Sequence, residues 1–283
     1  MPTAYSRSLR IQYNDLSRGS PAFLCLPGWC ENKSVFGRIT HALGRSQRVI
    51  ALDWRGHGKS ASEGGEFGHE ELVEDALAVI RTSGVGTVIP VAISHAGWVA
   101  LELRKRLGER VTRLVLLDWI LGEPPPEFGA VLAGLQERER WLATREELFR
   151  AWIAGSDEPH VVRHIREEMG SYGHEMWARA ARAIESAYGD GTPFEALARL
   201  TPPCPVLHLF SQPRDKRTLA AQEDFARLHP WFHVRRLEAY SHFPALEMPD
   251  LTARAILDFA GEGQRRAGPL ASWGRSDGAA PGS

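Results

Sequence analysis

The sequence predicts an α/β chain: a mostly parallel central sheet covered by helices, with a helical cap inserted before the sheet is complete. Two observations carry this. Short apolar runs without polar alternation recur, each followed by a helical stretch, the pattern of parallel strands buried on both faces. Between residues 124 and 200 such runs stop and the composition turns helical; after Pro202-Pro203 they resume.

Taken in order, residues 21–28 (Pro-Ala-Phe-Leu-Cys-Leu-Pro-Gly) read as a buried strand ending in a turn, and 48–53 (Arg-Val-Ile-Ala-Leu-Asp) as a second. Residues 69–82 place Leu72, Val73, Ala76, Leu77, Val79 and Ile80 on one broad helical face, closed by Gly84-Val85-Gly86. Residues 87–93 form a third strand, although Pro90 lacks a ladder donor and fits a central strand badly. A helix over 94–107 follows, then a fourth strand at 113–117 with Asp118 at its end. Pro124-Pro125-Pro126 opens the cap, rich in Glu, Arg, Leu and Trp. Strands return at 205–210 and 233–238, His242 lies just beyond, and residues 251–261 make a last helix. The expected organisation is a core of 1–123 and 201–261, a cap of 124–200, and a Gly-, Ala- and Ser-rich disordered tail of 262–283.

The 283 residues, 43% hydrophobic and 24% charged, suffice for one large core. A formal net charge of -1 argues against nucleic acid or a membrane surface as partner. No apolar run approaches the ~20 residues that span a bilayer. The first residues lack a basic-then-apolar leader pattern, so a cytoplasmic location is expected. Cys25, Cys30 and Cys204, three without a Cys-x-x-Cys pair, read as buried hydrophobes in a reducing compartment. Oligomeric state is not written in the composition; a monomer satisfies it.

Reactive groups in parallel sheets collect at the carboxyl ends of strands, and Trp29, Ser94 and Asp118 all fall there. Ser94, in Val91-Ala92-Ile93-Ser94-His95-Ala96-Gly97, sits between strand and helix as a nucleophile-elbow serine does, with Ala92 and Ala96 where glycines are usual. On that segment alone an ordinary helix N-cap serine reads equally well. His242, in Tyr240-Ser241-His242-Phe243-Pro244, completes a Ser…Asp…His order. Two acids compete for the third place. Asp118 directly ends an apolar strand, whereas Asp215 lies five residues past its strand in a charged loop, so Asp118 is preferred. A buried acid there would fix the imidazole tautomer. The backbone N–H groups of Trp29 and His95 are the candidates for an oxyanion hole.

Five segments occur in family order: Pro27-Gly28-Trp29-Cys30, Asp53-Trp54-Arg55-Gly56-His57-Gly58-Lys59-Ser60, Ser94-His95-Ala96-Gly97-Trp98, Asp118-Trp119 and Ser241-His242-Phe243-Pro244. The Asp53–Ser60 segment is common to many α/β hydrolases; the other four, with the cap pieces Leu148-Phe149-Arg150-Ala151-Trp152, Glu167-Glu168-Met169, Tyr172-Gly173 and Ala187-Tyr188-Gly189, resemble the cofactor-independent 3-hydroxy-4(1H)-quinolone 2,4-dioxygenases of the α/β-hydrolase fold. The likeness extends over roughly residues 5–260. It implies a small aromatic substrate, dioxygen as co-substrate, and neither cofactor nor metal. His242, oriented by Asp118, would take the proton of the 3-hydroxyl; Ser94 would assist without forming an acyl-enzyme; Trp29 and His95 would hold the carbonyl oxygen; Trp152 would wall the pocket. The ring would open with loss of carbon monoxide. The chain departs from the quinaldine-type pattern at Ile93 and Glu31, where those members carry histidine, and both substitutions are expected beside the substrate.

Two rivals use the same residues: a serine hydrolase of an ester, lactone or amide, and a catalytically silent ligand binder. His160 and His164, four apart before Glu167 and Glu168, suggest a metal face, but a solvated helix edge is the plainer reading. His57 reads as a turn residue. Trp29, Trp98, Trp119 and Trp152 cluster in the site segments, which suits an aromatic ligand.

Overall fold

A computed structural model describes residues 1–62 and 65–266. The chain opens with β1 (Thr3–Ser6) and β2 (Leu9–Leu16), an antiparallel pair. Then come β3 (Ala22–Leu26), α1 (Gly37–Gly44), β4 (Val49–Leu52), α2 (His69–Ser83), β5 (Val88–Ile93), α3 (Ala96–Leu107) and β6 (Leu114–Leu117). The cap follows as α4 (Pro126–Gln136), α5 (Trp141–Ile153), α6 (Pro159–Arg163), a π-helical turn over His164–Glu168, α7 (His174–Gly189) and α8 (Pro193–Ala198). The core closes with β7 (Val206–Phe210), α9 (Lys216–Leu228), β8 (Phe232–Arg236), α10 (Pro244–Glu247) and α11 (Pro249–Arg266).

Among the described residues the strands form one sheet in the order β1-β2-β4-β3-β5-β6-β7-β8. The six strands from β3 to β8 run parallel, and β1 and β2 extend the edge in antiparallel register. The parallel strands are those the sequence predicts. Every residue of β3, β4, β5, β6 and β7 is buried, as unalternated apolar strands between two helical layers must be. From β3 the chain moves out to β4 and then crosses back past β3 to β5. The carboxyl ends of β3 and β5 therefore border a crevice where connections diverge, the usual place for a ligand in an open α/β sheet.

Pro90 sits inside β5 without breaking it, and the reason is local. An isolated bridge joins Val88 to Val111, an offset of 23 residues. The ladder proper joins Val91 to Val115, an offset of 24. The register slips by one residue at Pro90, so its missing N–H falls in a bulge, where sheets tolerate proline.

Several boundaries differ from expectation. The β1–β2 pair was not predicted, nor were α1 and α9. The helix after Ser94 begins at Ala96, leaving Ser94 and His95 as a turn. The last helix runs over Pro249–Arg266, so residues 262–266, expected in a disordered tail, continue it. The remainder of that expected tail, 267–283, lies outside the described residues. Among the described residues no helix is long and apolar enough to cross a membrane.

Candidate active site

Each strand end delivers one group. After β3 comes Trp29, 7% exposed, and Cys30, whose φ of 58° is left-handed. After β5 comes Ser94, with φ 49°, its N–H donating to the Leu117 carbonyl at 2.7 Å. After β6 comes Asp118, with φ 46°. Non-glycine residues avoid this region, at roughly 1–2 kcal/mol each, and cluster where the fold must aim a side chain. The tight strand-to-helix turn at Ser94 also needs space. A Cβ on Gly97 would stand 2.2 Å from Trp119 Cε3, so the essential glycine of this elbow is Gly97, while alanine suffices at Ala92 and Ala96. The turn points Ser94 at the N-terminus of α3, whose dipole favours negative charge there.

His242 and Asp118 meet across the head of a cavity. His242 Nδ1 lies 3.5 Å from Asp118 Oδ2, and the Asp118 carboxylate is sealed from solvent. It accepts hydrogen bonds from Ser211 N–H, from Ser211 Oγ–H at 2.7 Å and from Gln212 N–H at 3.1 Å. The loop after β7 thus supplies hydrogen-bond partners for both oxygens of a buried acid. The other acid, Asp215, is exposed and caps α9, accepting from Thr218 N–H at 2.9 Å. Behind Asp118, His208 accepts from Trp119 N–H at 3.3 Å and bonds Gln222 Oε1 at 2.6 Å, fixing the Asp118-Trp119 turn. Burial holds His208 neutral, its pKa lowered to about 4.

The cap reaches the histidine directly. His242 N–H donates to the carbonyl of Trp152 at 2.8 Å, and the two rings stack at 5.2 Å between centroids, 12° from parallel. Below them lies a cavity of about 530 Å³, within the range of small-molecule sites. Trp29, Glu31, Ser94, His95, Asp118, Trp152 and His242 all border it; Ile93, the 2% exposed last residue of β5, does not. The expectation that Ile93 lies beside the ligand is therefore corrected: it ends the strand one residue too early.

Much of the cavity wall was not foreseen. Phe128, Val131, Leu132 and Leu135 line it from α4, and Trp177, Ala180, Ala181, Ile184 and Tyr188 from α7. Both sets follow i, i+3, i+4, i+7-type spacing, a legible signal of one helix face. The result is an apolar lobe leading away from a small polar head.

His57 has a structural place. Its Nε2 accepts from Cys30 N–H at 3.1 Å, and its Nδ1–H donates to Arg55 O at 2.8 Å. Burial keeps it neutral, with a pKa near 4, and the ring holds the strained Cys30 next to Trp29. His95 pairs with His69, Nε2 to Nε2 at 2.5 Å; burial lowers both, His69 to about 4, so one neutral ring donates to the other.

His164 is not on a solvated edge. It is 3% exposed, between Glu31 (Nε2 to Oε2, 3.9 Å) and Glu168 (Nδ1 to Oε2, 3.6 Å), whereas His160 bonds Arg163 on the surface. A π turn adds a residue per turn, so the face read from a 3.6-residue period rotates and His164 turns inward. Among the described residues no cluster of three or more His, Cys, Asp or Glu is arranged to hold a metal ion.

Comparison with known proteins agrees with this geometry. Residues 23–255 match the model of the alpha/beta hydrolase family. The 2-heptyl-3-hydroxy-4(1H)-quinolone dioxygenase of Mycobacteroides abscessus is 38% identical over 240 residues, 84% of this chain and 89% of that protein. The 1H-3-hydroxy-4-oxoquinoline 2,4-dioxygenase of Pseudomonas putida is 35% identical over 242 residues, 85% of this chain and 91% of that protein. A solved structure of AqdC with its product, described as a basis for recognition and ring-cleavage of the Pseudomonas quinolone signal, superposes with a TM-score of 0.87. It is 36% identical and covers 92% of this chain and 99% of its own. The shared fold, the family match over residues 23–255 and these identities over most of each chain place the protein in the alpha/beta hydrolase family, among the 3-hydroxy-4-quinolone 2,4-dioxygenases.

Proposed function

We propose that this enzyme opens the heterocyclic ring of a 3-hydroxy-4(1H)-quinolone bearing an apolar C2 substituent, using dioxygen and releasing carbon monoxide. The observation that carries this reading is the Asp118–His242 pair, with Trp152 stacked on the imidazole, at the polar head of a cavity whose far wall is apolar. The bicyclic ring fits the head and the C2 substituent the lobe between α4 and α7. Relatives named for a 2-heptyl substrate support that assignment.

In this mechanism His242 takes the proton of the 3-hydroxyl, and Asp118 stabilises the imidazolium through Nδ1. The N–H groups of Trp29 and His95 hold the 4-oxygen, which shares the anion's charge. Ser94 hydrogen-bonds the 3-oxygen and is not acylated. The substrate anion supplies the electrons: dioxygen adds at C2, the peroxide closes on C4, and the O–O, C2–C3 and C3–C4 bonds break. C3 leaves as carbon monoxide with the former hydroxyl oxygen, and an N-acylanthranilate remains, both atoms of dioxygen now in the product. A dry cavity protects the anion from water until dioxygen arrives. We place the enzyme in the cytoplasm, acting without cofactor or metal and with a monomer sufficient for activity.

The test is dioxygen uptake and carbon monoxide release by chelator-treated protein with 3-hydroxy-4-quinolones of graded 2-alkyl length. His242→Ala is expected to lower turnover by about 10²–10⁴, the span of a general base, and Ser94→Ala to leave a measurable rate. Absence of dioxygen uptake, with esterase activity lost in Ser94→Ala, would establish the serine-hydrolase reading instead.

A further inference from the structure

Among the described residues, Glu31 is the one acidic side chain besides Asp118 that borders the cavity. It lies two residues beyond Trp29, in the same loop that carries one of the two oxyanion-hole amides. Its residue is 2% exposed, and Oε2 is buried with no hydrogen-bond partner in the protein. Facing it at 3.9 Å is His164 Nε2, equally buried and unpartnered. On its other side the His164 ring approaches Glu168 Oε2 at 3.6 Å. Glu168 accepts from Asn32 Nδ2–H at 2.7 Å and from Ser34 Oγ–H at 2.6 Å, and its side chain is 30% exposed. Carboxyl, imidazole and carboxyl thus run in line from the cavity wall to the surface. The π turn from His164 to Glu168 holds the outer two in place. A buried carboxyl oxygen without a protein partner is costly, and a carboxyl on the cavity wall can be satisfied by a ligand group.

We infer that Glu31 is a second proton-handling residue of this site: as a neutral acid it donates a hydrogen bond to the ligand's 4-oxygen, and it exchanges that proton with solvent through His164 and Glu168. The identity of the oxygen rests on the dioxygenase reading; the relay does not.

The surroundings favour the neutral acid. From its own loop Glu31 meets Cys30, a buried thiol whose pKa burial and Glu31 both raise, and the neutral His57 behind Cys30. From the cap it meets His164 and Glu168, with Arg145 acting on Cys30. Across the cavity stand His95, Asp118 and His242. Burial is the main cause that raises the Glu31 pKa to about 8; the Gly28 N–H opposes it and the charge of Glu168 adds to it. An ionised Glu31 would place a negative charge beside a substrate that itself becomes an anion. The acid form avoids that repulsion and adds a third donor to the two amides.

Two measurements on the full chain test this. Infrared difference spectra of unliganded wild type against Glu31→Gln should show a protonated carboxyl band at pH 7 that fades with a midpoint near 8. After dilution into D₂O, that band should exchange about a hundredfold more slowly in His164→Phe, the low end of what a positioned proton-transfer group contributes. In turnover, kcat/KM for a 2-alkyl-3-hydroxy-4-quinolone should fall on the alkaline side with the same midpoint, and Glu31→Gln, slower but still a donor, should lose that limb. A carboxyl already ionised at pH 7, or exchange unaffected by His164→Phe, overturns the relay. An alkaline limb unchanged in Glu31→Gln overturns the contact with the 4-oxygen. A protein that shows the band and its exchange but consumes no dioxygen with any quinolone retains the relay and loses only the dioxygenase reading.

Discussion

Asp118 has three donors on its two oxygens before His242 is counted: Ser211 N–H, Ser211 Oγ–H and Gln212 N–H. The arrangement fixes the carboxyl group in place without His242, so its work is to orient the imidazole. Asp118→Asn retains the shape and most of these contacts but presents the wrong group to Nδ1. Turnover should drop by about 10²–10⁴, with substrate affinity little changed. Steady-state dioxygen uptake separates the two, and a loss confined to KM would contradict the role. At this scale the sequence was informative where a residue ends a strand. Asp118 abuts Leu117 and could be preferred to Asp215, which turns out to cap α9. Ile93 shows the limit: adjacent to Ser94 in sequence, it is still the buried last residue of β5, whereas Ser94 already lies in the left-handed turn.

Among the elements, α4 and α7 set what the cavity admits. Ala180 and Ala181 are small residues on a stripe otherwise occupied by Trp177, Ile184 and Tyr188, and their lack of bulk leaves the lobe open. Ala181→Phe should close it. Activity with a short 2-alkyl quinolone should persist, and activity with a long one should fall by tenfold or more, about 1.4 kcal/mol or upward. Equal losses across chain lengths would show that the alkyl group lies elsewhere. The helical stripes were legible in the spacing, yet which face met a ligand was not, because a helix hydrophobic on a core side and one lining a cavity share the same period. The His164 turn was illegible for another reason. Its π geometry breaks the period on which face assignment depends.

For the whole molecule, the six parallel strands follow from their apolar runs, while the antiparallel edge escaped. β2 does alternate, with Leu9, Ile11 and Tyr13 buried. Its turn is Arg7-Ser8, with Arg7 at φ 56°, and lacks the Asn-Gly or Gly pairs that mark a hairpin. Stability should fall in acid for reasons spread over the fold. His57, His69 and His208 are held neutral by burial, each at about 4, below the ordinary value near 6.5. The unfolded chain takes up protons that the folded chain refuses, so stability is lost as pH falls from about 6.5 toward 4, by up to ~1.4 kcal/mol per pKa unit for each group. Glu31 acts in the opposite sense, and its contribution is lost as pH rises through about 8. Urea midpoints between pH 7 and 4.5 measure the acid limb, and His208→Gln should flatten it; an unchanged slope would assign it to the carboxylates.

The bond from His242 N–H to the carbonyl of Trp152 ties the base to the last turn of α5. Any outward swing of that turn wide enough to admit a bicyclic ring also displaces the imidazole and its loop. The base and this part of the cavity wall therefore move as one piece.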